Sequence, residues 1–179
     1  MASLVRSTTL WIVVFALFSQ DTQAQQYVPD GTLVMSNKKG LIGRIARRIT
    51  GGDQYTHVGI VIDGKVCESD FPFVKCTPVG QYGKRRTTND YFVPAVAYSP
   101  TEVSAMRHAA VSRIGQPYRL RNYFFPRSRP TNGTWCSPYV GNVLNASGRY
   151  GLSSYDMYEP QNILRRVGGQ YIFSNRVVR

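Results

Sequence analysis

Residues 56–70 read Thr-His-Val-Gly-Ile-Val-Ile-Asp-Gly-Lys-Val-Cys-Glu-Ser-Asp. Val58–Ile62 is a continuous apolar run, Asp63-Gly64 is a two-residue hairpin signal, and Lys65–Asp70 has the pattern of a return strand. A two-residue turn sets Ile62 opposite Lys65, Val61 opposite Val66, Gly59 opposite Glu68 and His57 opposite Asp70. Side chains alternate along a strand, so His57, Gly59 and Val61 share a face with Val66, Glu68 and Asp70. Cys67 falls on the other face with Val58, Ile60 and Ile62, where it reads as a small core hydrophobe. Glu68 is diagonal to His57, about 7–8 Å away and within reach of a long side chain. Gly59 leaves Glu68 room to lean toward the imidazole. Asp70 lies directly across and competes for the same ring, but its short side chain stands at right angles to the sheet.

Outward from this hairpin the chain alternates strands and helices. Gly31–Met35 predicts a strand. Residues 40–50 predict a basic amphipathic helix, with Leu41, Ile42, Ile45 and Ile49 on one face and Arg44, Arg47 and Arg48 turned away; Gly51-Gly52 ends it. Strand character returns at 72–76 and 91–97. Ser99-Pro100-Thr101-Glu102 is a helix start, with Ser as cap, Pro in the first turn and Glu completing a capping box. That helix runs to Ile114 and stops at Gly115. Residues 116–134 read as loop, and Ser137–Ala146 as a helix that tolerates Pro138 in its first turn. A short helix over 161–166 and a strand over 170–174 close an α+β domain.

Composition sets the class. The 179 residues carry 22 Lys+Arg against 10 Asp+Glu, a net charge of +12, and 42% are hydrophobic. This excludes a disordered tail, a collagen and a coiled coil. Three cysteines and two histidines make neither a disulfide scaffold nor a structural zinc site. Residues 10–18 are all apolar, after Arg6 and before Thr22-Gln23-Ala24. That is the order of an export signal over 1–24, which implies a secreted or periplasmic domain over 25–179. The alternatives are a buried first helix or a short membrane anchor. Lys84-Arg85-Arg86 reads as a solvated turn, with contact to a polyanion as its functional alternative. Arg119, Arg121, Arg127 and Arg129 interleave with Tyr118, Tyr123, Phe124 and Phe125, the composition of a nucleic-acid surface. An exported protein meets anionic cell-wall polymers or lipid surfaces more readily, so nucleic acid is the weaker expectation. Asn132 and Asn145 each head a glycosylation triplet, and His108, in mid-helix, reads as a surface or packing residue.

Cys136 stands at the predicted start of the helix Ser137–Ala146. The amide donors and positive dipole at a helix start favour a thiolate and an oxyanion. A cysteine nucleophile with a histidine base needs that placement. The bland alternative is an inert buried thiol or a disulfide. Cys67 and Cys76 can pair and leave Cys136 free.

Thr56-His-Val-Gly-Ile-Val-Ile62, Glu68, Gly115-Gln-Pro-Tyr118 and Trp135-Cys-Ser-Pro-Tyr-Val140 follow one another in that order. The set resembles the YiiX/YebB-like cysteine hydrolases, a circularly permuted branch of the NlpC-type papain-like peptidases, over residues 29–166. The Gly31-Thr-Leu-Val34 strand is similar to that family's opening Gly-Asp-Leu-Ile element. The resemblance implies a permuted papain-like fold, with an antiparallel sheet or small barrel packed on helices. It implies Cys136 as nucleophile, His57 as base and Glu68 as the third, polar member, with no metal or cofactor. It also implies cleavage of an amide bond, for example in a cell-wall peptide. Lecithin:retinol acyltransferase-like enzymes share the layout, so a lipid- or acyl-directed esterase or acyltransferase is the alternative. A non-catalytic polyanion- or membrane-binding protein on the same fold is another. Thr32, Arg119 and the pair Pro138-Tyr139 depart from the family pattern.

Overall fold

The computed structural model describes residues 28–38, 55–83, 86–119 and 133–178. The expected export signal, the amphipathic helix over 40–50, Lys84, Arg85, Asn132 and the basic–aromatic residues from Arg121 to Arg129 lie outside them.

Among the described residues six strands form one antiparallel sheet: β1 (Leu33–Lys38), β2 (His57–Ile62), β3 (Lys65–Asp70), β4 (Phe73–Pro78), β5 (Arg86–Pro94) and β6 (Tyr171–Val178). Their order is β4-β3-β2-β1-β5-β6. Among the described residues three helices accompany them: α1 (Pro100–Val111), α2 (Cys136–Ala146) and α3 (Pro160–Val167). The α+β class and the antiparallel sheet are present as expected. Among the described residues no ladder joins the edge strands β4 and β6.

The hairpin that anchors the reading has the anticipated register, with Ile62 opposite Lys65 and Val61 opposite Val66. Asp63 and Gly64 both take positive φ, 51° and 67°, as a tight turn matched to the twist of the flanking strands requires. Alternation divides the interior into two cores. Leu33, Met35, Val58, Ile60 and Ile62 face the helices and pack with Met106, Tyr139, Val143, Leu144 and Ile163. Val34, Val61, Val66, Tyr82 and Tyr91 form a smaller core on the other face. Cys67 lies on the helix side, as its parity requires, and is bonded to Cys76, its direct partner across β3 and β4. Cys136 is outside any disulfide.

Element ends move where long-range pairing overrides local pattern. β5 begins at Arg86, not at 91, because its polar first half pairs with β1 from Lys38 to Ser36. It stops at Pro94, which has no N–H for a ladder. β6 extends to Val178 on the same support. α1 has the full capping box between Ser99 and Glu102. It closes at Val111, not Ile114, because the next amides reach three residues back, Arg113 to Ala110 and Ile114 to Val111. His108 is exposed, one of the two settings anticipated for it. Asn145 does not present a free acceptor amide: its side chain donates to the Leu152 carbonyl at 2.9 Å and accepts from the Leu152 amide at 2.8 Å.

Candidate active site

β2 begins at His57, whose side chain is fully buried, and β3 carries Glu68 at 3% exposure. His57 Nε2 lies 2.7 Å from Glu68 Oε2. Gly59, opposite Glu68, is packed closely by Val66, whose Cγ1 would lie 2.7 Å from a Cβ there, while Glu68 Cβ would be in ordinary contact at 3.6 Å. An ionised carboxylate only accepts, so Nε2 donates to it. Nδ1 is buried and has no hydrogen-bond partner.

The same Glu68 oxygen accepts two more hydrogen bonds, from Tyr82 Oη at 2.8 Å and from Arg86 Nη2 at 2.8 Å. Lys75 Nζ stands 4.0 Å from the other oxygen. Burial alone would raise the Glu68 pKa. The His57 hydrogen bond, with the charges of His57 and Arg86, overrides that and holds it down at about 2, against a weaker opposing push from Asp70. Burial and the Glu68 charge push the Tyr82 hydroxyl well above its usual value, so it remains a donor.

Asp70 has other partners. Its Oδ1 accepts from the Phe71 amide at 2.8 Å, and its Oδ2 accepts from Arg86 Nη2 at 3.0 Å. The carboxylate bonded to the imidazole is therefore the diagonal Glu68, and Asp70 caps the turn into β4.

Arg86 corrects the sequence reading. It is not part of a solvated basic turn; it is 4% exposed and bridges two carboxylates. Neither Arg86 nor Tyr82 was legible as a site residue. In the sheet order β2 and β1 stand between β3 and β5, so hairpin geometry says nothing of a contact between them.

Cys136 is the first residue of α2, one position earlier than the periodicity suggests, with Trp135 as an extended N-cap that makes no side-chain capping bond. The thiol is 5% exposed. One hydrogen bond ties this helix start to the strand that carries Glu68. Ser69, next to Glu68, donates to the carbonyl of Thr134 at 3.2 Å. Tyr139, in the first turn of α2, is pushed above its usual pKa chiefly by burial, with Glu68 adding to the effect. Arg86 is raised above its usual pKa against its own burial by Tyr82, Glu68, Asp70 and Cys136 together.

The Gly115-Gln-Pro-Tyr118 stretch stitches the arrangement together. Gly115, at φ 83°, turns out of α1. Its amide donates to Val74 and the Tyr118 amide to Pro72, both on the β4 side. Thr134 in turn donates to Pro117. The departures from the family pattern have structural work here. Thr32 Oγ1 donates to Pro29 at 2.7 Å, and the buried Tyr139 donates to the Ala110 carbonyl at 3.2 Å, locking α2 to the end of α1. Arg119 is exposed, and its amide donates to Thr134 at 2.9 Å. An open groove lined by Thr101, Ser104, His108 and Ala146 contains none of the site residues.

The crystal structure of YiiX from Escherichia coli O157:H7, described as a metalloprotein, matches with a TM-score of 0.63 over 85% of this chain and 99% of that one. The chain has a YiiX-like fold. Sequence identity with YiiX is 17%, so the likeness is one of fold. No family model and no curated protein matches the sequence.

Proposed function

We propose that this chain is an exported cysteine hydrolase on a circularly permuted papain-like fold, cleaving an amide bond with Cys136, His57 and Glu68. The observation that carries the reading is the buried imidazole, whose Nε2 is committed to Glu68 and whose Nδ1 has no hydrogen-bond partner. That is the state of a general base waiting for a proton.

In this mechanism His57 Nδ1 takes the Cys136 thiol proton, and Glu68 stabilises the imidazolium that results. The Cys136 sulfur attacks the carbonyl carbon. Backbone amides at the start of α2 hold the oxyanion, where losing one such donor costs about 3–4 kcal/mol. His57 then protonates the leaving amine as the tetrahedral adduct collapses to a thioester. Water adds to the thioester and gives its proton to His57, which returns it to the departing sulfur, so that the Cys136 thiol and the carboxylic acid are released.

A metal, which the description of YiiX attributes to that protein, does not fit the residues present here. Among the described residues no three His, Cys, Asp or Glu side chains converge on one point. The Arg86 guanidinium already occupies the space between Glu68 and Asp70, where a cation would be repelled. Export is supported by the Cys67–Cys76 disulfide, which persists in oxidising compartments. No helix among the described residues is long and apolar enough to cross a membrane.

Phe71 and Phe73 are 70% and 45% exposed on the turn that hydrogen-bonds to Tyr118, and they favour an acyl chain as the second reading of the substrate. The test is hydrolysis of a panel of peptide amides and acyl esters by the wild type, Cys136→Ala and His57→Ala. Turnover of one class that both variants abolish supports the proposal. Turnover that survives Cys136→Ala defeats it.

A further inference from the structure

Arg86 is a buried cation that the steps of amide cleavage do not use. A flat sheet would set β3 and β5 roughly 14 Å apart, yet the guanidinium meets Glu68 at 2.8 Å, so the two long side chains span the intervening strands. A buried guanidinium is costly unless paired, and a buried ion pair is seldom worth more to a fold than an apolar core of the same volume. Here one nitrogen, Nη2, serves both Glu68 and Asp70, and the guanidinium carbon lies 5.8 Å from the centroid of the Tyr82 ring. Nη1 is buried with no hydrogen-bond partner.

The geometry points to Arg86 as a positioning residue that, with Tyr82, clamps the Glu68 carboxylate against His57 Nε2 and keeps it ionised, so that Nδ1 stays the base. This rests on the reading of Cys136 and His57 as nucleophile and base. The groups around Glu68 come from every neighbouring element: His57 from β2, Asp70 from β3, Lys75 from β4, Tyr82 from the turn after it, Arg86 from β5 and Tyr139 from α2. Of the cations, Lys75 is 37% exposed and screened by solvent, whereas Arg86 is not. Asp70 opposes the charge on Glu68, and Arg86 also binds Asp70, so one side chain supplies the attraction and offsets the repulsion.

The test reads the pH dependence of Cys136 alkylation by iodoacetamide in the full chain, together with kcat and KM on any substrate found. The wild-type profile should lie to the acid side of an ordinary thiol at about 8.5. Arg86→Gln should move it back by about one pH unit or more and lower kcat at least tenfold with little change in KM. Arg86→Lys should restore part of both. Adding Arg86→Gln to Glu68→Gln should change either readout less than twofold, because the two act through one carboxylate. A folded Arg86→Gln protein with the wild-type profile and kcat overturns the inference. Should Arg86→Gln fail to fold, the double variant, which removes both buried charges, decides. A folded double variant with the Glu68→Gln profile supports the coupling, and an unfolded one overturns it, since Arg86 then serves the fold independently of Glu68. A wild-type profile already ordinary and unchanged in His57→Ala defeats the Cys136–His57 reading and the role of Arg86 with it. A shifted wild-type profile that His57→Ala abolishes and Arg86→Gln leaves in place defeats only Arg86.

Discussion

Replacing Glu68 with Gln should remove a defined part of the protein's acid sensitivity. Glu68 is almost fully buried and its pKa falls from 4.5 to about 2 through the His57 hydrogen bond and the His57 and Arg86 charges. The folded state therefore binds the Glu68 proton more weakly than the unfolded chain does. Stability from this group is present in full above the unfolded value and is lost as pH falls toward the folded one. At about 1.4 kcal/mol per pH unit, the difference is on the order of 3 kcal/mol. Glu68→Gln keeps the volume and loses the charge. Urea unfolding of both proteins at intervals between pH 7 and pH 2 isolates the contribution. The wild type should lead by about 3 kcal/mol above pH 5, and the gap should close across the window from pH 4.5 to pH 2. A gap that stays constant over that window would refute the assignment of Glu68 as the ionised partner of His57.

Glu68→Gln should lower turnover about 10- to 10⁴-fold by misorienting the imidazole, whereas Asp70→Asn should cost less than threefold; kcat on one substrate compares them, and the reverse ranking would reassign the orienting acid. Gly59→Ala should destabilise the protein by about 1–3 kcal/mol, because the new Cβ would lie 2.7 Å from Val66 Cγ1 in a packed core; thermal or urea unfolding reads it. A thiol titration of the unfolded, unreduced chain should count one reactive cysteine, Cys136, and after reduction three.

The parts of this account that were legible in the sequence are those set by local rules. The Asp63-Gly64 turn and the period-2 alternation were enough to pair β2 with β3 and to place Glu68 and Asp70 beside His57, and the preference for Glu68 drew on its length, the facing Gly59 and the family resemblance together. The capping box at Ser99 and the start of α2 near Cys136 are equally local. What stayed hidden depends on the sheet order. Arg86 sits in a basic cluster whose commonest fate is a solvated turn, and only the pairing of β5 with β1 draws it inward. Tyr82 leaves no period to read, since it lies in an irregular turn after β4. The Cys67–Cys76 bond was foreseen as one of two outcomes, and the direct β3–β4 register decided between them.

The most direct test of the central claim is intact mass after exposure to a thiol-directed acyl probe. The wild type should carry a single acyl adduct, absent in Cys136→Ala and formed at least tenfold more slowly in His57→Ala, whose fold is verified by circular dichroism. An adduct that forms equally on Cys136→Ala, or on His57→Ala at the wild-type rate, would contradict the claim.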